Sequence, residues 1–248
     1  MNTAPEILIL TPIKNAANHL ETYFTNLLKL SYPNAHISLG ILEGDSRDDS
    51  YQMVLQRKPE LIKHFSNVGI WQKNYGYHVS DTIPRWQPSI QPMRRNILAR
   101  SRNYLLSKAL QEQQWVLWLD VDIIEYPADI IEQLLATKKN IVHPNCVLEY
   151  GGLSFDQNAW RGQNKQFLSQ LRDEGPLVKL DSVGGTMLLI AADLHRDGLI
   201  FPPFRYRPSS PIKLPNDTLF IETEGLGLMA RDMGQYLWGM PNLEIKHK

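Results

Sequence analysis

Cysteine, net charge and long apolar runs are all scarce in this chain of 248 residues. Its single cysteine, Cys146, excludes an internal disulfide and a cysteine-cluster metal site. The 26 basic residues balance the 26 acidic ones, so the concentrated basic surface of a nucleic-acid-binding protein is not expected. No apolar run approaches the roughly 18 to 20 residues of a membrane helix, and residues 1–15 lack the basic start of a signal peptide. We therefore expect a soluble, cytoplasmic protein with no membrane span and no nucleic-acid partner.

The composition that is present is that of a globular protein. A hydrophobic fraction of 43% is near the globular average and supports a full core. At 248 residues the chain fits one large α/β domain better than two small ones. We predict a single domain over residues 1–248, with a nucleotide-binding half over about residues 1–143 and an acceptor half over about residues 144–248.

Short apolar runs alternate with helical patterns along the first half. The run Glu6–Leu10 stops at a Thr-Pro pair, as a buried parallel strand does, and Leu20 and Phe24 then begin a helical pattern. Next come a strand over His36–Leu42, an acidic turn and a helix. This alternation of strands and helices favours a mostly parallel sheet with helices on both faces. Further along we predict a helix around Tyr51–Gln56, a strand over Leu61–Trp71, a loop over Gln72–Pro92, a helix over Met93–Leu110, a strand over Trp115–Leu119, a helix from about Pro127, strands over Asn140–His143 and Thr186–Ala191, a loop over Phe201–Pro215, a helix over Glu222–Asp232 and a strand over Tyr236–Trp238.

The triplet Asp120-Val121-Asp122 follows the most apolar of these strands. That position puts both carboxylates at the carboxyl edge of a parallel sheet, where ligands of open α/β folds bind. Carboxylate oxygens suit Mg²⁺ or Mn²⁺, which also bridge to substrate phosphates, and the imidazole of His247 could complete such a site. Solvated loop acids and a frayed terminal histidine are the alternatives, and for His247 its position near the end favours the second.

A second group of polar residues follows the first two strands. Strand ends at a switch point commonly build a nucleoside pocket, although Gly, Asp and Ser also dominate ordinary turns. Neither G-x-G-x-x-G nor G-x-x-x-x-G-K-[ST] occurs, which excludes a dinucleotide fingerprint and a P-loop. The candidate pocket residues are Thr11, Pro12, Lys14, Glu43 and Asp45.

An arginine-rich helix and a pair of glutamates complete the candidates. Arg95 and Arg102 are seven residues apart and share a helix face, and guanidinium groups suit diphosphates. A solvated helix face is the alternative, but four arginines in nine residues of a neutral protein favour a functional role. Glu222 and Glu224 begin a helix and could cap it or serve as an acceptor-binding pair or general base. Asp122, Glu222 and Glu224 are the candidate catalytic residues.

The order of these motifs resembles the fungal Golgi α-mannosyltransferases of the mannan-polymerase complexes, the Anp/Mnn/Van family. The resemblance covers nearly the whole chain and depends on a strand ending in TPIKNA, the helix segment ARSRN, WVLWLDVDI, and ETEG followed by GMPN and a late histidine. It implies a GT-A glycosyltransferase fold (a Rossmann-like α/β sheet), GDP-mannose as donor, a divalent ion, either Mn²⁺ or Mg²⁺, and retention of the anomeric configuration.

The resemblance also implies residue roles. It makes Asp120 and Asp122 the metal and diphosphate site and His247 a further ligand, places Thr11, Pro12, Lys14, Glu43 and Asp45 around the guanosine, puts Arg95, Arg100 and Arg102 near the diphosphate, and turns Glu222 and Glu224 toward the sugar or acceptor.

We therefore predict a metal-dependent retaining glycosyltransferase that transfers mannose to a glycan or another hydroxyl acceptor. Because the chain lacks the membrane anchor of the fungal enzymes, we expect a soluble relative of bacterial type with a different acceptor. Two alternatives are a nucleotidyltransferase with the same D-x-D site and a non-catalytic carbohydrate-binding or scaffold subunit. The sequence does not determine the oligomeric state, and a homo-oligomer is one of the states that it allows.

Overall fold

The computed structural model describes residues 4–80, 82–84, 86–209 and 219–248. The strands are β1 (Ile7–Ile13), β2 (Ile37–Glu43), β3 (Asn67–Gln72), β4 (Trp115–Leu119), β5 (Ile123–Glu125), β6 (Ile141–Val147), β7 (Trp160–Arg161), β8 (Gln166–Phe167), β9 (Val178–Leu180), β10 (Met187–Ala191) and β11 (Leu237–His247). The helices are α1 (Ala17–Leu28), α2 (Ser50–His64), α3 (Gln91–Ala109), α4 (Ile130–Ala136), α5 (Ala192–Arg196) and α6 (Glu222–Asp232).

The centre of the molecule is a mostly parallel sheet. Within the described residues nine strands join it, in the order β3-β2-β1-β4-β10-β6-β11-β5, with β9 also pairing with β11. Pairing is parallel from β3 to β4 and between β6 and β11, whereas β10, β9 and β5 are antiparallel to their neighbours. The predicted mostly parallel α/β sheet is confirmed, and strands from both halves of the chain build it.

Two apolar layers cover the sheet because side chains of the central strands alternate between its faces. Ile7 and Ile9 of β1 pack in one core with α1, α2 and α4, while Leu8 and Leu10 pack in the other with α3, α5 and α6. Both faces of these strands are therefore buried, which explains why their sequences are continuous apolar runs rather than alternating ones.

Four predicted boundaries are wrong. The strand predicted over Asn140–His143 continues to Val147. The strand predicted over Leu61–Trp71 begins only at Asn67, because α2 continues through Pro59 to His64 with Leu61 buried on the core face. The helix predicted from Pro127 starts at Ile130, after a turn in which the Ile130 N–H donates to the Pro127 carbonyl. The strand predicted over Tyr236–Trp238 is eleven residues long and reaches His247, since it pairs with three neighbours.

The two predicted loops differ in how far the structure describes them. Gln72 closes β3, and α3 begins at Gln91, so the first loop is two residues shorter at its end than predicted. Part of the second, residues 210–215, lies outside the described residues. Among the helices of the described ranges, none has both the length and the apolar content needed to cross a bilayer.

Candidate active site

Asp120 and Asp122 lie in a tight turn at the carboxyl edge of the sheet. β4 ends at Leu119, the Asp120 N–H donates to the Thr186 carbonyl at 2.9 Å, and β5 then returns from Ile123. This turn points the two carboxylates in different directions. Asp120 therefore contacts Arg102, and Asp122 contacts His247. The sequence correctly placed the pair at the end of the strand.

Asp120 belongs to a buried group of charges centred on Arg102. The Arg102 guanidinium is 1% exposed and contacts Asp120 at 3.0 Å, Glu222 at 3.0 Å and the Gly185 carbonyl at 3.2 Å. Its planar face lies over the rings of Trp118 and Phe201, at 5.3 and 5.2 Å from their centroids. We call Arg102, Asp120 and Glu222 the buried arm of the site, because Arg102 and Glu222 are almost fully buried, while the Asp120 side chain is 30% exposed.

The carboxyl group of Asp120 is electrostatically unusual. Burial raises its pKa, and the nearby Asp122 and Glu222 raise it further against the opposing charge of Arg102. Arg102 is thus the cation that lets several carboxylates converge on one place. A group of acids held together in this way attracts a divalent cation more strongly than isolated acids would.

The glutamates at the start of α6 are tied to α3 by arginines. Glu224 contacts Arg95 at 2.9 Å, as Glu222 contacts Arg102, and both glutamates are almost fully buried. The backbone entering the helix is strained, with positive φ of 61° at Phe220 and 58° at Glu222. Such conformations cost roughly 1 to 3 kcal/mol each and cluster at functional sites. The two ion pairs hold this strained turn in place.

Asp122 faces the other way, toward the end of β11. Its Oδ2 atom lies 3.2 Å from His247 Nε2, and the His247 ring stacks on Phe155 with centroids 4.0 Å apart. Burial alone would lower the pKa of His247, but the hydrogen bond and charge of Asp122 outweigh it, so the pKa is raised. We call Asp122, His247 and Phe155 the open arm, because Phe155 is 40% exposed at its outer end, while the side chains of Asp122 and His247 are 21% and 15% exposed.

The interpretation of His247 as a frayed terminal residue is therefore wrong. The residue is paired to Ile123 in β5 and is the last residue of a long strand. Local sequence could not show this, because the strand is held by partners distant along the chain.

The open arm fits a divalent cation. Two donor atoms bound side by side at about 2.1 Å to one ion lie about 3 Å apart, and the Asp122–His247 separation of 3.2 Å matches that spacing. One carboxylate and one imidazole suit Mn²⁺. Across the described residues no group of three or more His, Cys, Asp or Glu forms a ready-made metal cage. The arrangement therefore resembles one edge of a site that substrate oxygens would complete.

The five predicted nucleoside-pocket residues cluster at the ends of β1 and β2, but several of them hold the fold. Thr11 is buried, with its hydroxyl 2.7 Å from that of Tyr23. Pro12 pairs with Leu42 inside the sheet, and Glu43 accepts bonds from the Ser46 N–H and the Gln72 amide.

Asp45 and Lys14 both fasten the loop that follows β3. The Asp45 carboxylate accepts hydrogen bonds from the backbone N–H groups of Tyr75, Gly76 and Tyr77. Although burial opposes the shift, these bonds lower the pKa of Asp45. Lys14 donates to the Tyr77 carbonyl and lies 5.3 Å from the ring centroid. The edge of the pocket is thus a rigid loop carrying tyrosines.

The predicted arginine helix divides its side chains between two places. Arg95 and Arg102 share a face, as their spacing predicted, and both meet buried glutamates. Arg100 is exposed and lies over the ring of Tyr75 at 4.6 Å, so it faces the tyrosine loop instead.

Sequence reasoning missed a buried polar group behind the buried arm. Asp156 accepts bonds from the Thr186 hydroxyl at 2.9 Å and the Thr186 N–H at 3.3 Å, and lies 3.5 Å from His143. These contacts outweigh burial and lower the pKa of Asp156. A Cβ at Gly184 would lie 1.9 Å from the Asp156 carboxylate. The Gly-Gly pair before β10 was the available signal, since it required something close to the backbone.

Comparison with known proteins gives consistent relatives. The Anp1 family model matches residues 1–174 and 164–205. The mannan polymerase II complex anp1 subunit of Schizosaccharomyces pombe is 31% identical over 98% of this chain and 64% of its own length. The mannan polymerase complex subunit mnn9 of the same organism is 30% identical, over 98% and 80%. The chain thus spans less than two thirds of the first of these relatives. Both come from a fungus, so the expectation of a bacterial-type relative has no support.

Solved structures show the same fold at low identity. A mannosyltransferase from Pyrobaculum calidifontis in complex with GDP-Man and Mn²⁺ matches with a TM-score of 0.60 and 15% identity, over 99% of this chain and 57% of that one. GalNAc-T7 with UDP, GalNAc and Mn²⁺ matches with a TM-score of 0.61 and 11% identity, over 100% and 44%. The chain therefore has the GT-A-like glycosyltransferase fold that the motif order predicted.

Proposed function

The chain belongs to the Anp1 family, and on that premise we propose that it is a metal-dependent retaining glycosyltransferase. The donor in this proposal is GDP-mannose, and the acceptor is a hydroxyl of a glycan. The relatives are named as subunits of mannan polymerase complexes, and a protein of the same fold was solved with GDP-Man and Mn²⁺. The fold alone does not choose the nucleotide, since GalNAc-T7 was solved with UDP.

The observation that carries the proposal is the open arm beside Asp120 at the carboxyl edge of the sheet. Asp122 and His247, with Asp120, are the residues that would hold Mn²⁺ or Mg²⁺. When bound, that ion supplies positive charge to the departing nucleoside diphosphate. Ligands in open α/β folds bind at this edge, so the donor diphosphate would reach the same place.

The protein's own residues would orient the reacting groups. Arg102 fixes the side chain of Asp120 and contacts the Gly185 carbonyl. Arg95 and Arg102 are already paired with Glu224 and Glu222, which favours a positioning role for these four side chains over direct contact with the diphosphate. Their ion pairs also make both glutamates poor candidates for a nucleophile or a general base.

We therefore favour attack by the acceptor on the same face of the sugar that the diphosphate leaves. In this step the acceptor oxygen forms a bond to the anomeric carbon while the bond from that carbon to the phosphate oxygen breaks. The acceptor proton passes to the departing phosphate oxygen, so no carboxylate of the protein needs to accept it. The anomeric configuration is retained.

The test is calorimetric titration of GDP, UDP and GDP-mannose with Mn²⁺ and then with EDTA, followed by NMR of the product's anomeric proton. We expect binding that requires the metal and prefers guanine, and an α-linked product. Preference for UDP would overturn the mannose donor but keep the transferase. Release of pyrophosphate from a nucleoside triphosphate would instead favour a nucleotidyltransferase.

A second candidate is a non-catalytic carbohydrate-binding subunit. It is favoured by the names of the relatives, which are subunits of complexes. A subunit of this kind would bind glycan without metal-dependent consumption of GDP-mannose. The acceptor, a cytoplasmic location and a homo-oligomer stay predictions.

A further inference from the structure

The loop that follows β6, residues 148–155, has several solvent-exposed apolar side chains and lies beside the open arm. Leu153 is 81% exposed and Tyr150 52%, while Leu148 and Phe155 are each exposed by 40% or more. Single exposed apolar residues are ordinary, but four in eight residues form a patch, and exposed patches mark binding sites.

This loop is fixed in position by hydrogen bonds from outside it. The Glu244 carboxylate accepts from the Gly151 N–H at 2.7 Å and contacts Arg172 at 2.6 Å, and Arg172 donates to the Gly152 carbonyl. Ser154 donates to the Asn145 side chain at 2.8 Å, deep in β6. The apolar side chains are therefore presented on a preorganised backbone, which lowers the entropic cost of binding a ligand.

The loop lies at the same edge of the sheet as the candidate metal ligands. β6 ends at Val147, which pairs with Lys246, the residue before His247. At the far end of the loop Phe155 stacks on the His247 ring. Tyr150 lies close to Glu125 of β5, and burial together with this carboxylate raises the pKa of Tyr150 to about 12. The phenol is thus neutral and has a carboxylate beside it.

We propose that the 148–155 loop is the acceptor subsite, binding a neutral pyranose ring of the glycan that receives the transferred sugar. This inference rests on the proposed function. A pyranose has one face of C–H groups and a rim of hydroxyls. Tyr150 and Leu153 offer apolar surface for the C–H face, and the Glu125 carboxylate can accept hydrogen bonds from the hydroxyls.

The position and size of the patch favour a sugar over a protein partner. An acceptor must reach the reacting carbon beside the metal ligands, and this loop is in contact with one of them through Phe155. Four side chains are few beside the roughly 800 Å² per partner of a standard protein interface. They are enough to cover one or two sugar rings.

Two independent titrations test the inference. The first measures GDP binding with Mn²⁺, and the second measures binding of an α-linked mannotetraose, by NMR, with and without GDP and Mn²⁺. The variants are Tyr150→Ala with Leu153→Ala, both away from the proposed metal ligands, and Tyr150→Phe, which keeps the ring. Tyr236→Ala is the matched control, because Tyr236 is 62% exposed but precedes β11 at the opposite end from His247.

We expect the double variant to bind mannotetraose at least ten-fold more weakly, with GDP affinity unchanged within two-fold. Tyr150→Phe and Tyr236→Ala should bind it like the original protein. If the original protein binds GDP but not mannotetraose, or if the double variant binds it normally, the acceptor subsite is wrong. If GDP is not bound while mannotetraose binding depends on Tyr150 and Leu153, the proposed donor chemistry fails and the sugar subsite stands.

Discussion

Asp120 and Asp122 are two residues apart, yet their side chains contact different partners in different surroundings. In the buried arm Asp120 meets a guanidinium that is 1% exposed and is enclosed by two aromatic rings. In the open arm Asp122 meets an imidazole stacked on Phe155, and β11 holds that imidazole at the edge of the sheet. The turn between β4 and β5 is what divides them.

The D-x-D triplet therefore places its two carboxylates in unequal surroundings. Removing a partner from a buried ion pair leaves an uncompensated charge in a poorly solvated place, so the buried arm contributes mainly to folding. We propose instead that Asp122 and His247, at the edge of the sheet, contribute mainly to metal and substrate binding, so that a change at either one removes a ligand. Substitutions in the two arms should therefore affect folding and metal binding to different degrees.

The largest effect is expected from Arg102→Met. This change leaves Asp120 and Glu222 facing each other without their cation, and removal of one partner of a buried pair costs roughly 3 to 5 kcal/mol. The free energy of unfolding, measured by urea denaturation, should fall by that amount. Arg100→Met, on the exposed side of the same helix, is the control and should change it by less than about 1 kcal/mol. Equal losses in the two variants would refute the division into arms.

A smaller loss of stability is expected when the pH is lowered. It depends on His195, which contacts the Trp118 ring that packs against Arg102. His195 Nε2 accepts from the Trp118 indole at 3.3 Å, and its Nδ1 lies 2.7 Å from the Leu199 carbonyl. Burial lowers the pKa of His195 to about 4. The unfolded chain therefore binds this proton more readily than the folded protein, and the stability that the neutral ring supplies is complete above pH 6.5.

As the pH falls from 6.5 to 4, that stability should decrease by about 3 kcal/mol. The measurement is the free energy of unfolding across this range for the original protein and for His195→Gln, which cannot titrate. The difference in the free energy of unfolding between these two proteins should depend on pH. His64→Gln, at an exposed position, is the control and should show the same pH dependence as the original protein. A difference that stays constant over the range would show that His195 is not held neutral.

The smallest effect is expected from Phe155→Ala in the open arm. The ring orients His247 by stacking, and loss of a group that orients a metal ligand typically weakens metal binding by 10 to 100-fold. We expect Mn²⁺ affinity in the presence of GDP to fall about ten-fold. The free energy of unfolding should change by about 1 kcal/mol. Phe204→Ala, at another exposed phenylalanine, is the control. An unchanged Mn²⁺ affinity in Phe155→Ala would show that the Phe155 ring does not orient His247 for metal binding.

The sequence predicted those features that local patterns determine. The apolar run before Asp120 placed the acidic pair at a sheet edge, and the seven-residue spacing of Arg95 and Arg102 placed them on one face. The motif order predicted the fold, because each motif follows its strand or helix in a fixed sequence of elements. In each case the necessary residues are neighbours along the chain or one helical repeat apart.

What the sequence could not predict depends on contacts between distant segments. Glu222 and Glu224 were expected near the substrate, and only the packing of α6 against α3 shows that arginines meet them. Asp156 lies in an irregular segment, and its partners Thr186 and His143 are 30 and 13 residues away. Likewise, β11 exists because β5, β6 and β9 pair with it, a tertiary cause that leaves little pattern in its own residues.

We expect Asp122 to bind metal without holding the fold, and one paired measurement on Asp122→Asn tests this directly. Mn²⁺ affinity in the presence of GDP and the free energy of unfolding would be determined for this variant, the original protein and Asp197→Asn, an exposed control. We expect Mn²⁺ affinity to fall by at least roughly 100-fold, while the free energy of unfolding changes by less than about 1 kcal/mol. Normal Mn²⁺ affinity in Asp122→Asn, or a large loss of stability, would contradict it.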